Sequence, residues 1–176
     1  ALMNNRIPYK ITGGQSFFAR AEVKDIMAYL RLLVNPTDDT AFLRIINTPR
    51  RGIGPQTVER IGRLSQELGC SLFEACQSPH LKTQLSTGIF QHVDVFRNMI
   101  DTLARQADHQ ESAGDAVRQL LSDIGYEDWL FEQSPSAKAA EIRVKNVYEL
   151  HRWVSDMLKG DAEHEPMELH QVVSRL

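Results

Sequence analysis

Residues 48–57 read Thr-Pro-Arg-Arg-Gly-Ile-Gly-Pro-Gln-Thr, which sets two arginines, two glycines and a proline at spacings that suit a phosphate group. Gly52 and Gly54 let the backbone turn tightly and approach a ligand where any side chain would intervene. Pro55 fits the first position of a helix. The amides around Gln56 and Thr57 then point outward at the positive end of the helix dipole, a geometry that suits an anion. Arg50 and Arg51 stand beside it as charge, the Thr57 hydroxyl adds a donor, and Ile53 is expected to pack inward as the anchor. A helix, a Gly-x-Gly hairpin and a second helix form a helix-hairpin-helix-like device, which holds a sugar-phosphate backbone without reading base edges. An isolated Gly-x-Gly is more often a plain interhelical turn. Here the surrounding charge favours binding: Arg44, Arg50, Arg51, Arg60 and Arg63 face only Glu59 between residues 44 and 63. That window carries +4 in a chain whose net charge is −3, so the remainder is −7 and the charge is segregated. Arg60, on the helix after the hairpin, joins the expected contact set.

Other chemically suggestive groups have plainer explanations. His164 and His170 resemble a zinc-protease pair, but they are six residues apart with Pro166 between them, which breaks the helix such a pair needs. Asp38 and Asp39 could hold a metal, yet they lie between Asn35-Pro36 and the next helix, where capping accounts for them. Phe17 and Phe18 could stack on bases, but adjacent phenylalanines at a core edge are more often packing. Tyr126, Trp129, His151 and Trp153 fall on amphipathic stretches and are expected in the core or at its rim. Cys70 and Cys76, the only cysteines, match neither a zinc site nor a disulfide framework and read as buried or half-buried thiols. A dinucleotide fold fits poorly, because no strand precedes the glycines and Thr57 stands where a third glycine belongs. The Gly-Lys-Ser/Thr ending of a phosphate-binding loop occurs nowhere.

The elements that must position the loop read as helices. Val23, Ile26, Met27, Leu30 and Leu33 set a helix over 21–34, with Asn35-Pro36 as its stop and Asp38 or Asp39 as the next N-cap. A second helix spans about 40–47, and a third runs from Pro55 to Leu68 with Gly69 beyond it. Further amphipathic stretches cover 71–76, 89–107, 113–124, 126–132, 137–158 and 166–176, with 159–165 as a candidate mobile loop. One short strand is expected over Ile7–Thr12, ending in a turn at Gly13-Gly14. The fold class is therefore all-α, with that single N-terminal strand. The 176 residues, 42% hydrophobic and 24% charged, suffice for one substantial core. No apolar run approaches the roughly 20 residues of a spanning helix, and no secretory signal is visible, so no membrane partner and a cytoplasmic location are expected. A lone strand at one end and an uncapped periodic run at the other suggest a piece of a larger protein.

Residues 13–25, Gly-Gly-Gln-Ser-Phe-Phe-Ala-Arg-Ala-Glu-Val-Lys-Asp, with 28–31, Asn35-Pro36, Asp38-Asp39 and the run from Ala41 to Gly54, strongly resemble superfamily-one DNA helicases of the Rep/UvrD/PcrA group. Residues 5–11, 135–141 and 165–167 extend the likeness over essentially the whole chain and toward its Rep branch. The resemblance implies that residues 1–20 are the end of the 2A motor subdomain and the hinge, near 19–21. Residues 21–176 then form a helical 2B subdomain, incomplete at its C-terminus. It implies duplex contact ahead of the fork by Thr48, Pro49, Gly52, Ile53 and Gly54, while Arg50, Arg51, Thr57 and Arg60 are assigned by local chemistry. The implied parent is an ATP-dependent 3'-to-5' helicase of replication or fork restart. ATP and Mg are its cofactors, and neither is expected in this stretch. Duplex DNA at a single-strand/double-strand junction, the other helicase subdomains and replication-fork proteins are the implied partners. An autoinhibitory or protein-docking role is the alternative.

Overall fold

A computed structural model describes residues 14–176, and the strand expected over Ile7–Thr12 lies outside them. The described residues form eleven helices and no strand, in agreement with the all-α expectation. Gly14 opens a short helix, α1 (Gly14–Phe18), where a turn was expected at Gly13-Gly14. The helix is anchored by Phe17, whose ring packs 4.5 Å from that of Trp153.

Helix α2 (Ala21–Val34) is the central element. Ten of its fourteen residues are buried, including Glu22 and Asp25, so it is enclosed nearly all round. It stops at Asn35, which takes an extended conformation before Pro36. Asp38 then caps α3 (Asp39–Ile45) by accepting from the Ala41 amide at 3.0 Å. The Asp39 carboxylate instead accepts the Leu72 amide at 2.9 Å, so both aspartates are structural. Helix α4 (Pro55–Leu68) starts on its proline and ends at Gly69, which adopts the left-handed conformation with φ 64°. Its buried side chains Thr57, Ile61, Leu64 and Ser65 repeat at helical spacing and form one inward stripe.

Short helices α5 (Leu72–Ala75) and α6 (Pro79–Gln84) lead to α7 (Thr87–Ala107), α8 (Gln110–Asp123), α9 (Tyr126–Gln133), α10 (Ala137–Lys159) and α11 (Leu169–Arg175). α6 was not foreseen, although Ser78 caps it and Pro79 starts it. α7 packs along α8, and α3, α7, α10 and α11 all lie against α2. Phe42 of α3 meets Phe96 of α7 edge to face at 6.1 Å. Arg51 of the 48–57 loop lies against the Phe96 ring of this pair.

Candidate nucleic-acid interface

The structure divides residues 48–57 into an inward and an outward set. Thr48 is half-buried, and its carbonyl accepts the Tyr29 hydroxyl at 2.6 Å. Pro49 is buried, and Ile53 is 1% exposed, as expected of the anchor. The Asn47 side-chain oxygen accepts the backbone amides of Arg51 at 2.8 Å and Ile53 at 3.3 Å, so it caps the turn from inside. Gly52 has φ +78°, and a Cβ there would overlap the His92 ring of α7. Glycine is therefore favoured at 52 by conformation, and a larger residue would also have to displace the exposed His92 ring.

Arg51 also turns inward. Its Nη1 donates to the carbonyls of Ile45 at 2.5 Å and Ile46 at 2.8 Å, and its Nη2 donates to the Tyr29 hydroxyl. The guanidinium lies 4.7 Å from the centre of the Phe96 ring. Burial pushes the Tyr29 hydroxyl up to about 12, a rise only partly offset by the Arg51 charge beside it. Tyr29 thus keeps its proton and donates it to Thr48 while accepting from Arg51.

The outward set is smaller. Arg50 is exposed, its guanidinium 5.8 Å from the centre of the half-buried Trp129 ring on α9. Gly54 is the N-cap of α4, with an ordinary φ of −85° and no side-chain cap. A Cβ at Gly54 would meet nothing within 4 Å. The first amides of α4 therefore lack a side-chain acceptor, and the space beside Gly54 is empty. Thr57 as a whole is only 8% exposed, so its hydroxyl is not presented as the expected donor, and Pro55 and Gln56 are the exposed residues of this turn. Arg60 is exposed and donates to the Gln84 carbonyl at 2.6 Å, which fixes the guanidinium without neutralising it. Arg44 and Arg63 are paired with Asp25 at 2.9 Å and Glu59 at 2.7 Å. The uncompensated charge of the window thus comes from Arg50, Arg51 and Arg60.

Sequence reasoning did not find Tyr29, Asn47, His92 or Trp129 as members of this region. Asn47 alone had a local signal, an amide side chain directly before the turn. The histidine pair considered for zinc lies elsewhere: His164 contacts Asp161 at 3.0 Å and His170 contacts Glu168 at 3.2 Å. Among the described residues no group of three or more His, Cys, Asp or Glu is placed to hold a metal, and no helix is long and apolar enough to cross a membrane. Cys76 is buried and Cys70 half-buried, and burial pushes the Cys76 thiol up to about 12.

The profile of the UvrD-like helicase C-terminal domain matches residues 1–176. The chain belongs to that family. Among the relatives of this UvrD-like domain is the ATP-dependent DNA helicase Rep of Salmonella typhimurium, 49% identical over 99% of the chain. The Rep protein of Escherichia coli is 48% identical over the same share, and the ATP-dependent DNA helicase PcrA of Staphylococcus epidermidis is 34% identical over 99%. The domain spans about a quarter of these relatives: 26% of each Rep protein and 23% of PcrA.

Proposed function

We propose that this chain is the 2B subdomain, preceded by the end of 2A and a hinge near 19–21, of a Rep-like ATP-dependent 3'-to-5' DNA helicase that acts in replication in the bacterial cytoplasm. Its own task is to grip duplex DNA at a single-strand/double-strand junction and to regulate the motor. Unwinding, and the ATP and Mg it consumes, belong to other subdomains of the parent. The kinship to Rep proteins supports the parent's activity.

The observation that carries the local role is the open start of α4. Gly54 has no conformational need for glycine and no neighbour that excludes a side chain, yet it stands where a phosphate would meet the helix amides. Arg50 and Arg60 supply exposed charge around it. Contact to the backbone alone gives weak, sequence-independent binding that falls steeply as salt rises. Titrating labelled duplex into this chain between about 50 and 200 mM salt tests it. We expect Arg50→Ala to weaken binding and to lower the slope of log affinity against log salt by about 1. Unchanged affinity and slope in this variant would sink the DNA grip.

One observation favours the autoinhibitory, protein-docking alternative. Arg50 sits over Trp129 on a helix whose Glu127, Asp128 and Glu132 are exposed, so this face of the protein presents an aromatic ring and both signs of charge, which suits a protein surface as well as DNA. Deleting 2B from the parent separates the roles. Loss of an essential grip slows unwinding, whereas loss of an inhibitory module speeds it.

A further inference from the structure

The inward half of the loop supports an inference that rests on the DNA grip proposed above. We infer that Arg51 is a positioning residue and not a phosphate ligand: with Tyr29 it holds residues 48–53 in the shape that presents Arg50, Gly54 and the α4 amides to the DNA backbone.

The guanidinium is committed on both of its outer nitrogens. Nη1 bridges the Ile45 and Ile46 carbonyls at the end of α3, the first of which also accepts the Thr48 amide at 3.0 Å, and Nη2 reaches the Tyr29 hydroxyl. Phe96 covers one face of the group. A phosphate could engage Arg51 only by displacing these acceptors, and two of those bonds are part-buried contacts to backbone. Tyr29 has one proton to give and gives it to the Thr48 carbonyl, so the donor directions match around its oxygen. Asn47 completes the set by holding the amides of Arg51 and Ile53. The loop is thereby tied to α2 through Thr48 and to the end of α3 through Arg51.

This role uses the planar fork and not the charge. Lysine keeps the charge but presents a single nitrogen, which cannot serve two carbonyls and a hydroxyl in this geometry. A positioning residue therefore differs from a phosphate ligand in two ways. Its lysine variant fails, and its loss does not change how many ions DNA binding releases.

The test measures duplex affinity across the same salt range for this chain and for Arg51→Lys, Arg51→Gln, Tyr29→Phe and Arg50→Ala. Amide hydrogen exchange of each protein is recorded without DNA. We expect Arg51→Lys and Tyr29→Phe to bind about threefold to tenfold more weakly at every salt, the loss of roughly one hydrogen bond, with the slope unchanged. The Arg51 and Ile53 amides should exchange faster while those of buried α2 keep their protection, which shows that the fold survives. Full affinity in Arg51→Lys, or a slope lowered by Arg51→Gln as much as by Arg50→Ala, would make Arg51 a phosphate ligand and overturn the inference. Unchanged exchange in Tyr29→Phe would overturn it as well. Failure of the DNA grip reads differently: the unmodified chain does not bind duplex, or Arg50→Ala leaves affinity and slope untouched. The exchange data then decide the clamp alone, because they report loop order without DNA.

Discussion

Gly52 and Gly54 stand two residues apart in one loop, yet the fold favours glycine at only one of them. At Gly52 the backbone is left-handed and the His92 ring fills the place of a Cβ. At Gly54 the backbone is extended and the space is empty. The arginines divide in the same way: Arg51 is bonded to Ile45, Ile46 and Tyr29, whereas Arg50 is exposed over Trp129. One half of the loop therefore answers to the chain's own packing, and the other is left open to a ligand. A motif of glycines and arginines has two jobs interleaved within it, and residue type alone does not separate them.

The inner half can be broken most strongly with alkali. Tyr29 titrates near 10 when unfolded and is pushed up to about 12 in the fold, so the folded state holds its proton more tightly. The stability this contributes is fully present below pH 10 and is lost as pH rises from 10 to 12. Two pKa units correspond to about 3 kcal/mol at most. Tyr126, donating to Asp25 at 2.6 Å, is shifted in the same direction, chiefly by burial. Urea denaturation at pH 8, 10 and 11.5 should show a steep loss, shallower in Tyr29→Phe. An equal pH dependence in the two proteins would remove Tyr29 as a cause.

Gly52→Ala comes next in size. It forces a side chain into a left-handed residue and against His92, at a cost of about 1–2 kcal/mol. Chemical denaturation should record that loss, and Gly52→Ala with His92→Ala should recover the steric part but not the conformational part. A neutral Gly52→Ala would mean that the inner half is less constrained than its geometry indicates.

Much of the scaffold was legible because its signals are local. α2 and α4 begin and end where the sequence predicts, since Asn35-Pro36, Pro55 and Gly69 act within a residue or two of the boundary. Thr57 is buried in one helical stripe with Ile61 and Leu64, and the expectation that its hydroxyl meets a phosphate left that periodicity out of account. α8 starts at Gln110, before the expected Ala113, and α11 starts at Leu169, after the expected Pro166. At the latter a Glu168–Gln171 capping box sets the start in place of the proline. What could not be read was the fate of Arg51. Its partner Tyr29 is 22 residues away on another helix, and Phe96 approaches from α7. Those contacts exist only after α2, α3 and α7 have packed, and nothing in Arg-Arg-Gly distinguishes the arginine that will be enclosed from the one left outside.

The smallest expected change in stability gives the sharpest reading of the outer half. Gly54→Ala introduces a methyl group into empty space at an ordinary φ, with glycine's modest N-cap advantage as the main loss. Stability should shift by about 0.5–1 kcal/mol or less. Duplex affinity should nevertheless fall several-fold, because the methyl stands where a phosphate must approach the α4 amides. Gly54→Ser makes the same point from the opposite side. A serine there supplies the missing N-cap acceptor, so it should hold stability level or raise it while occupying those amides. Weaker DNA binding in a protein that is no less stable cannot be attributed to unfolding. If both variants bind duplex as the unmodified chain does, the open start of α4 is not where the DNA backbone lies, and the two glycines differ only in what the fold asks of them.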